Sequence, residues 1–159
     1  MTTFRTYGTT GKSKMGIELR EITYGSAEYE MTRELRNRIM RVPIGLSIYD
    51  QDYTFEVNSR IIGAFDGDKM LGCSIVGKLD GEYCLDFLCV DDTVQKSGIG
   101  SMLIKDVEKW VASKGAPVLI LEARTSAQKF YEKHGYEAYG EIYLMKNSPT
   151  DHIRMRKYF

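Results

Sequence analysis

The stretch that decides the fold is VQKSGIGSMLIKDVEKW, residues 94–110. In it, Gly98 and Gly100 follow an apolar run and precede a segment whose apolar residues recur at helical spacing. A strand, a glycine turn and a helix N-terminus can together seat a phosphate, because the first amides of a helix lack partners and glycine has no Cβ in the way. The glycines could instead serve only a tight turn and close packing of helix on sheet, and the spacing leaves both interpretations open.

Two other phosphate-binding motifs do not fit the sequence. A dinucleotide-binding fingerprint needs a third glycine at the position where Leu103 stands. A P-loop is suggested by GKS at residues 11–13, but its first glycine position is Thr6 and no apolar strand precedes it. The anion site, if there is one, is therefore the turn at residues 95–100.

The rest of the chain predicts an α/β (α+β) fold with a single mixed, largely antiparallel central sheet of about seven strands flanked by helices. Asp-Gly pairs at 66–67 and 80–81 predict hairpin turns, and residues 42–58 are interpreted as a loop that can hold a short helix. The predicted strands are 16–24, 60–65, 70–77, 83–90, 118–124, 137–145 and 153–158, and the predicted helices are 26–41, 99–114 and 126–134.

Length and composition restrict the class of protein. The 159 residues suit one domain, predicted over 16–159 after a flexible N-terminal leader over 1–15. Lys and Arg number 22, as do Asp and Glu, so there is no broad basic field for nucleic acid or an anionic membrane. No apolar run approaches the roughly 20 residues of a membrane span.

The cysteines predict buried, reduced thiols in a cytoplasmic protein. Cys73, Cys84 and Cys89 are odd in number, lie in strand-like runs and have no Cys-x-x-Cys spacing. His134 and His152 are the only further soft ligands in the sequence, which argues against a structural zinc site.

Two motifs make the chain resemble the GNAT superfamily of N-acyltransferases. The family's acyl-CoA signature, Gln/Arg-x-x-Gly-x-Gly/Ala at the start of a helix after the fourth strand, stands here as QKSGIG at 95–100. A second family motif begins at Ala127, continues with the aromatic-Tyr pair at 130–131 and ends with Gly-Tyr at 135–136. The order of elements agrees with the family from residue 17 to the end. The resemblance implies the GNAT acyl-CoA N-acyltransferase fold and transfer of an acetyl group to a primary amine of a small molecule or peptide.

The resemblance also implies a site for acetyl-CoA along the fourth predicted strand and the glycine turn. The backbone of Leu88, Cys89 and Val90 would pair with the pantetheine arm, in a slot where the fourth and fifth predicted strands splay apart. An amide near Cys89 or Val90 would stabilise the oxyanion. The pyrophosphate would be held by the turn and the first helical residues, which are Gln95, Lys96, Ser97, Gly98, Ile99, Gly100 and Ser101.

The implied chemistry is direct attack of a neutral amine on the thioester, with no covalent enzyme intermediate. Tyr131 stands at the position of the family's usual general acid, which protonates the leaving thiolate. The general base stays open between Asp86, Glu122 and no dedicated residue. Strand alternation predicts that Asp86 shares the face of Leu88 and Val90, and burial there would raise its pKa. Glu122 lies near the end of the buried run VLILEAR.

The acceptor side is less specified by the sequence. Many family members carry asparagine seven residues before the tyrosine, where this chain has Arg124. The arginine could hold a phosphate or an acidic substrate group, or pair with Glu122. Acids of the 42–58 loop, Asp50, Asp52 and Glu56, could attract a cationic amine.

Two further hypotheses concern the class of function and the assembly. The same fold could bind acyl-CoA without turnover, as a sensor or an interaction module. An exposed final strand could pair across a two-fold axis and form a homodimer.

Overall fold

The computed structural model describes residues 6–7, 16–95, 97–146 and 148–159. Eight strands form one sheet in the order β1-β2-β3-β4-β5-β6-β8-β7. The strands are β1 Thr6–Tyr7, β2 Glu18–Ile22, β3 Arg60–Asp66, β4 Lys69–Leu79, β5 Glu82–Val90, β6 Val118–Arg124, β7 Glu137–Leu144 and β8 Asp151–Tyr158. Only β5 and β6 pair in parallel, so the predicted mixed, largely antiparallel sheet is confirmed.

The first strand is additional to the seven predicted. Thr6 and Tyr7 pair with Arg20 and Leu19 of β2. Residues 1–5 and 8–15 of the predicted leader lie outside the described residues, so the leader stays a prediction.

The part of the chain that the structure describes contains three α-helices, α1 Ala27–Arg36, α2 Ile99–Ser113 and α3 Gln128–Lys133. Ser26 caps α1, because its hydroxyl accepts from the Tyr29 amide at 3.1 Å. The predicted continuation of this helix to residue 41 is wound differently: Asn37–Arg41 forms a π-helical turn and Val42–Ile44 a 3-10 turn. Two more 3-10 turns, Ile48–Asp50 and Thr54–Asn58, occupy the segment predicted as a loop.

Helices cover both faces of the sheet, as predicted. Ile75 of β4 packs in a core with Tyr29 and Leu35 of α1, whereas its neighbour Val76 packs in a core with Val107 of α2. Consecutive strand residues point to opposite faces, so α1 and α2 lie on opposite sides of the sheet.

The final strand does not form an edge of the sheet, contrary to the sequence-based prediction. The final strand, β8, pairs with β6 on one side and β7 on the other, so the prediction of an exposed final strand is wrong. The edge strand at this end of the sheet is β7, whose Ile142 and Leu144 are exposed. A chain that doubles back to insert its last strand leaves no mark in the local pattern.

The thiols agree with the expectation that the cysteines are buried and unpaired. Cys73, Cys84 and Cys89 are free and buried. Within the described ranges, the longest and most apolar helices still fall short of what crossing a bilayer requires.

Candidate active site

A gap between β5 and β6 is the first feature of the site. The two strands pair only at Cys84 with Ile120 and at Leu85 with Leu121. Beyond these residues β5 stays with β4 while β6 continues along β8, so the carboxyl ends of the two strands part. The splay that the resemblance implies is therefore present in the fold.

The unpaired edge of β5 presents backbone groups to this gap. The Asp91 amide donates to the Leu71 carbonyl of β4 at 2.8 Å. Backbone groups of successive strand residues point to alternate sides, so Leu88 and Val90 direct their N–H groups toward the gap. Of the two residues predicted near the oxyanion, this alternation favours Val90 over Cys89.

A β-bulge at Asp86 interrupts β5. Ile75 of β4 pairs with Phe87 and the next residue, Val76, pairs with Leu85, so Asp86 has no partner across the ladder. Leu85 packs on the α2 side, whereas Phe87 packs with α1. The extra residue therefore reverses the alternation that simple strand geometry predicts.

The bulge corrects the predicted orientation of Asp86. Leu88 and Val90 pack with the α2-side core, but the Asp86 carboxyl lies over Gly77 of β4 on the other face. A Cβ at Gly77 would lie 2.7 Å from Asp86 Oδ2. Glycine at 77 thus makes room for the carboxyl, and the prediction that Asp86 shares the face of Leu88 and Val90 is wrong.

A pocket of about 270 Å³ opens where β5 and β6 part. It brings together three residues predicted as catalytic, Asp86, Glu122 and Tyr131, with Leu88 from the predicted cofactor strand. The remaining lining residues are Met40, Arg41, Tyr53, Phe55, Cys84, Leu85, Phe87, Leu121, Ala123, Arg124, Ala127, Met145, Ser148 and His152.

The pocket raises the pKa of Asp86 to about 7. Loss of solvation is the main cause, and the negative charges of Glu56 and Glu122 add to it. The Asp86 side chain is exposed toward the pocket, and the protein atoms that surround it there are the source of this loss of solvation. A carboxyl that titrates near neutrality suits proton transfer.

Glu122, the rival carboxyl, is engaged with the protein. Its Oε2 accepts a short hydrogen bond from the Tyr143 hydroxyl of β7. Burial, followed by this bond, raises the pKa of Tyr143 and keeps it protonated as the donor. Between the two carboxyls, Asp86 is therefore the freer one to exchange a proton with a ligand.

Tyr131 lies on α3 at the edge of the pocket. Its ring packs edge-on against Phe130 and Tyr136, with centroids 5.2 and 5.8 Å away, and the residue is buried. Burial raises the pKa of its phenol, so the hydroxyl stays protonated across neutral pH. A protonated phenol at this position can act as a proton donor.

The two glycines of the turn do different things. Gly98 precedes α2 with φ 90° and nothing within 4 Å of an added Cβ, so it is required for its left-handed conformation. Gly100 would place a Cβ 3.3 Å from the Phe130 ring, so it is required for close packing against α3.

The turn leaves backbone amides available. The helical hydrogen bonds begin with the Met102 amide, which donates to the Gly98 carbonyl at 3.0 Å. The amides of Ile99, Gly100 and Ser101 therefore have no acceptor within the helix. These amides and the left-handed glycine in open space fit a phosphate group.

Other predicted members of the turn are committed to the protein. The Ser97 amide donates to the Val94 carbonyl at 3.2 Å. Gln95 Nε2 donates to the Val90 carbonyl at 3.3 Å, and the Ser101 hydroxyl lies 3.0 Å from His134 Nε2. Lys96 lies outside the described residues.

The loop acids do not line the pocket as the sequence suggested. Glu56 is buried and paired with Arg36 at 2.8 Å, so the hypothesis that it attracts an amine is wrong. Asp52 caps the next turn by accepting from the Thr54 amide at 2.9 Å. From this segment, Tyr53 and Phe55 reach the pocket instead.

Two arginines line the pocket, and the amino-acid sequence provides little indication of a role for either. Arg124 donates to the Met40 carbonyl and to Ser148 Oγ, so it is not the partner of Glu122. Arg41 also lines the pocket, and nothing in the sequence singled it out, because arginines at 36, 38 and 41 share one helical stretch. Only the fold separates the arginine that faces the pocket from its neighbours.

Comparison with known proteins agrees with this geometry. Residues 57–138 match the family model of the acetyltransferase (GNAT) domain. The chain belongs to the GNAT acetyltransferase family. A relative in this family, YjcF of Bacillus subtilis (strain 168), described as an uncharacterized N-acetyltransferase, is 34% identical over 102 residues, which cover 64% of this chain and 72% of the relative.

Solved GNAT structures share the fold at lower identity. An aminoglycoside 6'-N-acetyltransferase complexed with coenzyme A superposes with a TM-score of 0.71 at 20% identity, covering 88% of this chain and 96% of the other. A GNAT acetyltransferase from Elizabethkingia anophelis with acetyl-CoA bound superposes with a TM-score of 0.66 at 19% identity, covering 92% and 100%. The predicted GNAT fold is confirmed. The family assignment makes this GNAT protein an acyltransferase and supports acetyl-CoA as its co-substrate.

Proposed function

We propose that the protein transfers an acetyl group from acetyl-CoA to a primary amine of a small molecule or peptide by direct attack. The observation that carries the proposal is the gap between β5 and β6, whose pocket holds Asp86 and Tyr131. Val90 at the end of β5 lies beside Gly100, one of the free amides of α2, so we infer a single path along β5 from the pocket to these amides. One end of this path suits a pyrophosphate and the other suits proton transfer.

Different backbone groups of the chain would bind different parts of acetyl-CoA. The amides of Ile99, Gly100 and Ser101, at the positive end of α2, would hold the pyrophosphate. The outward backbone groups of Leu88 and the outward carbonyl of Val90 would hydrogen-bond to the pantetheine arm as an added strand does. Acetyl-CoA supplies an activated acyl thioester to this site.

Proton movements would fall to two side chains. Asp86 would accept the proton of the attacking amine, directly or through a water molecule, because its carboxyl titrates near neutrality. Tyr131 would donate its phenolic proton to the leaving thiolate. The Val90 amide would stabilise the negative charge that develops on the carbonyl oxygen.

The proposal extends to location and assembly. The free, buried thiols of Cys73, Cys84 and Cys89 suit a reducing, cytoplasmic compartment. The exposed edge of β7, with Ile142 and Leu144, is the surface through which two copies would pair.

Calorimetric titration of the purified protein with acetyl-CoA tests the binding path. Gly98→Asp puts a Cβ and a negative charge where the pyrophosphate would sit, and should abolish binding. Gly115→Asp is a matched control, because Gly115 has φ 71° and open space at the other end of α2. Wild-type binding lost in Gly98→Asp and kept in Gly115→Asp is the expected result, and binding indifferent to Gly98→Asp would refute the proposed path.

Turnover separates an enzyme from a binding module. Tyr131→Phe should slow acetyl transfer sharply while leaving acetyl-CoA binding intact. Tight acetyl-CoA binding without acetylation of any amine would favour the sensor hypothesis instead.

A further inference from the structure

Two arginines share one carbonyl on the wall of the active-site pocket. Arg41 Nη1 donates to the Met40 carbonyl at 3.2 Å, and Arg124 Nη2 donates to the same oxygen at 2.5 Å. The two cationic groups therefore lie no farther apart than the sum of these distances. Both residues line the pocket that contains Asp86.

The hydrogen-bond partners that the described residues supply to this pair are all neutral. Arg41 Nε donates to Gln51 Oε1 at 2.8 Å, and its Nη2 donates to the Tyr53 hydroxyl at 2.7 Å. Arg124 donates to Ser148 Oγ at 3.3 Å. Among the residues that the structure describes, no carboxylate forms an ion pair with either arginine.

This arrangement is unusual for a buried charge. Arg41 is 4% exposed, and buried charges in proteins are normally paired. The buried Arg36 follows that rule, since it meets Glu56 in a two-point ion pair. Burial and the charge of Arg41 lower the pKa of Arg124, as expected for two cations with no anion between them.

The backbone explains why the pair is held there but does not neutralise it. The Met40 carbonyl belongs to the π-helical turn Asn37–Arg41, at the C-terminal end of the first helix. The partial negative charge of a helix C-terminus stabilises nearby cations, but it amounts to about half an elementary charge. Asp86 and Glu122 line the same pocket but form no ion pair with either arginine among the described residues, so the two positive charges can still attract the anionic group of a ligand.

We propose that the acceptor substrate carries a carboxylate close to its amine, and that Arg41 and Arg124 bind this carboxylate while Asp86 faces the amine. This inference rests on the proposed acetyl transfer and names its substrate class. A volume of about 270 Å³ suits a small molecule of amino-acid size rather than a long chain. The sequestered Glu56 removes one acid that would have favoured a purely cationic acceptor.

The first experiment compares acceptors that differ only in this charge. Initial rates of CoA thiol release are measured for leucine, phenylalanine and methionine, each as the free amino acid and as its primary amide. A hydrogen-bonded ionic contact predicts kcat/KM roughly tenfold to a hundredfold higher for the preferred acid than for its amide. The matching aminophosphonate is a third arm, and a preference for it over the acid would assign the site to a phosphonate or phosphate instead and overturn the carboxylate.

Variants assign the preference to the arginines. Arg124→Gln, at a half-buried residue, should lower the acid-to-amide ratio by about tenfold or more, and Arg41→Gln should do the same if thermal unfolding shows that it folds. Arg33→Gln is the matched control, because Arg33 lies on α1 outside the pocket, paired with Glu30 at 3.4 Å. Arg33→Gln should leave the acetylation rates of the acid and of the amide at their wild-type values. A ratio near one in the wild-type protein, or a ratio that Arg124→Gln does not change, would overturn the proposal.

A binding measurement separates this proposal from the transfer reaction itself. N-acetylleucine and N-acetylleucinamide are titrated into the CoA-loaded protein. Tighter binding of the acid, weakened by Arg124→Gln, supports the carboxylate site even if no acceptor in the panel turns over. Acetylation of acids and amides at equal rates would retain the acetyltransferase and reject the carboxylate site, whereas a protein that does not bind acetyl-CoA would reject the proposed function.

Discussion

Breaking the buried ion pair between Arg36 and Glu56 should cost about 3–5 kcal/mol of folding free energy. Arg36 donates to Glu56 through Nη1 at 2.8 Å and Nη2 at 3.0 Å, and both side chains are 0% exposed. Glu56→Gln leaves the guanidinium buried without a counter-charge and replaces one acceptor oxygen with a donor. It also disturbs the Tyr29 hydroxyl, which donates to Glu56 at 2.7 Å.

Removing both charges together should cost less than removing either one. In the double variant Arg36→Met/Glu56→Leu no charge stays buried, and the main loss is the acceptor of the Tyr29 hydroxyl, at about 1–3 kcal/mol. The exposed pair of Glu30 and Arg33, 3.4 Å apart on the same helix, is the control, and Glu30→Gln should cost at most about 1 kcal/mol.

Urea unfolding of the wild-type protein and these variants measures each cost, provided that the m-value does not change. A Glu56→Gln cost under about 1 kcal/mol would contradict the reasoning. So would a double variant whose cost equals the sum of the costs measured for Arg36→Met and Glu56→Leu alone, because the charges would then contribute independently. The pair also fixes the turn Thr54–Asn58, which contains Phe55 and follows Tyr53. Both residues line the pocket, so Glu56→Gln should raise KM for the acceptor as well.

Three further predictions concern the site. The kcat/KM of an acceptor should fall on the acid side of a pKa near 7, because Asp86 accepts a proton only when it is ionised. The ionised fraction of Asp86 should be roughly tenfold lower at pH 6 than at pH 8. In a pH profile, Asp86→Asn should abolish this acid limb, whereas Glu122→Gln should leave it in place. Tyr131→Phe should lower kcat by about 100-fold or more with little change in acetyl-CoA affinity measured by calorimetry, and an unchanged kcat would remove it as the acid. Gly100→Val should weaken folding and acetyl-CoA binding by pressing on Phe130, and Phe130→Ala should restore part of the melting temperature if that contact is the cause.

Elements whose ends carry strong local signals agree with the prediction. Helix α2 was expected over 99–114 and runs over Ile99–Ser113, because the left-handed Gly98 and Gly115 bracket an amphipathic segment. Strand β6 has the predicted bounds, since Pro117 precedes an apolar run that both faces of the sheet bury. Here local preference and tertiary packing favour the same conformation.

The predictions that were wrong concern residues whose environment depends on contacts between segments distant in the sequence. The sequence shows Asp86 as one residue in an alternating strand, and only the register of β5 against β4 creates the bulge that turns it. Glu56 looked like a solvated loop acid, because its partner Arg36 lies 20 residues earlier on a helix. Neither the bulge nor the pair has a local signal.

The bulge connects the wrong prediction for Asp86 with the chemistry of the site. If β5 alternated regularly, the carboxyl at 86 would point to the α2 face with Leu88 and Val90 and would be lost in the core. With one extra residue, Leu88 and Val90 keep their outward backbone groups at the gap while Asp86 reaches the pocket on the other face, over the space that Gly77 leaves. A single irregular residue thus allows one strand to offer a cofactor-binding edge and a titratable carboxyl at the same place. Gly77→Ala tests that link directly, because its Cβ would displace the carboxyl and should shift the acid limb of the pH profile without moving the acetyl-CoA affinity.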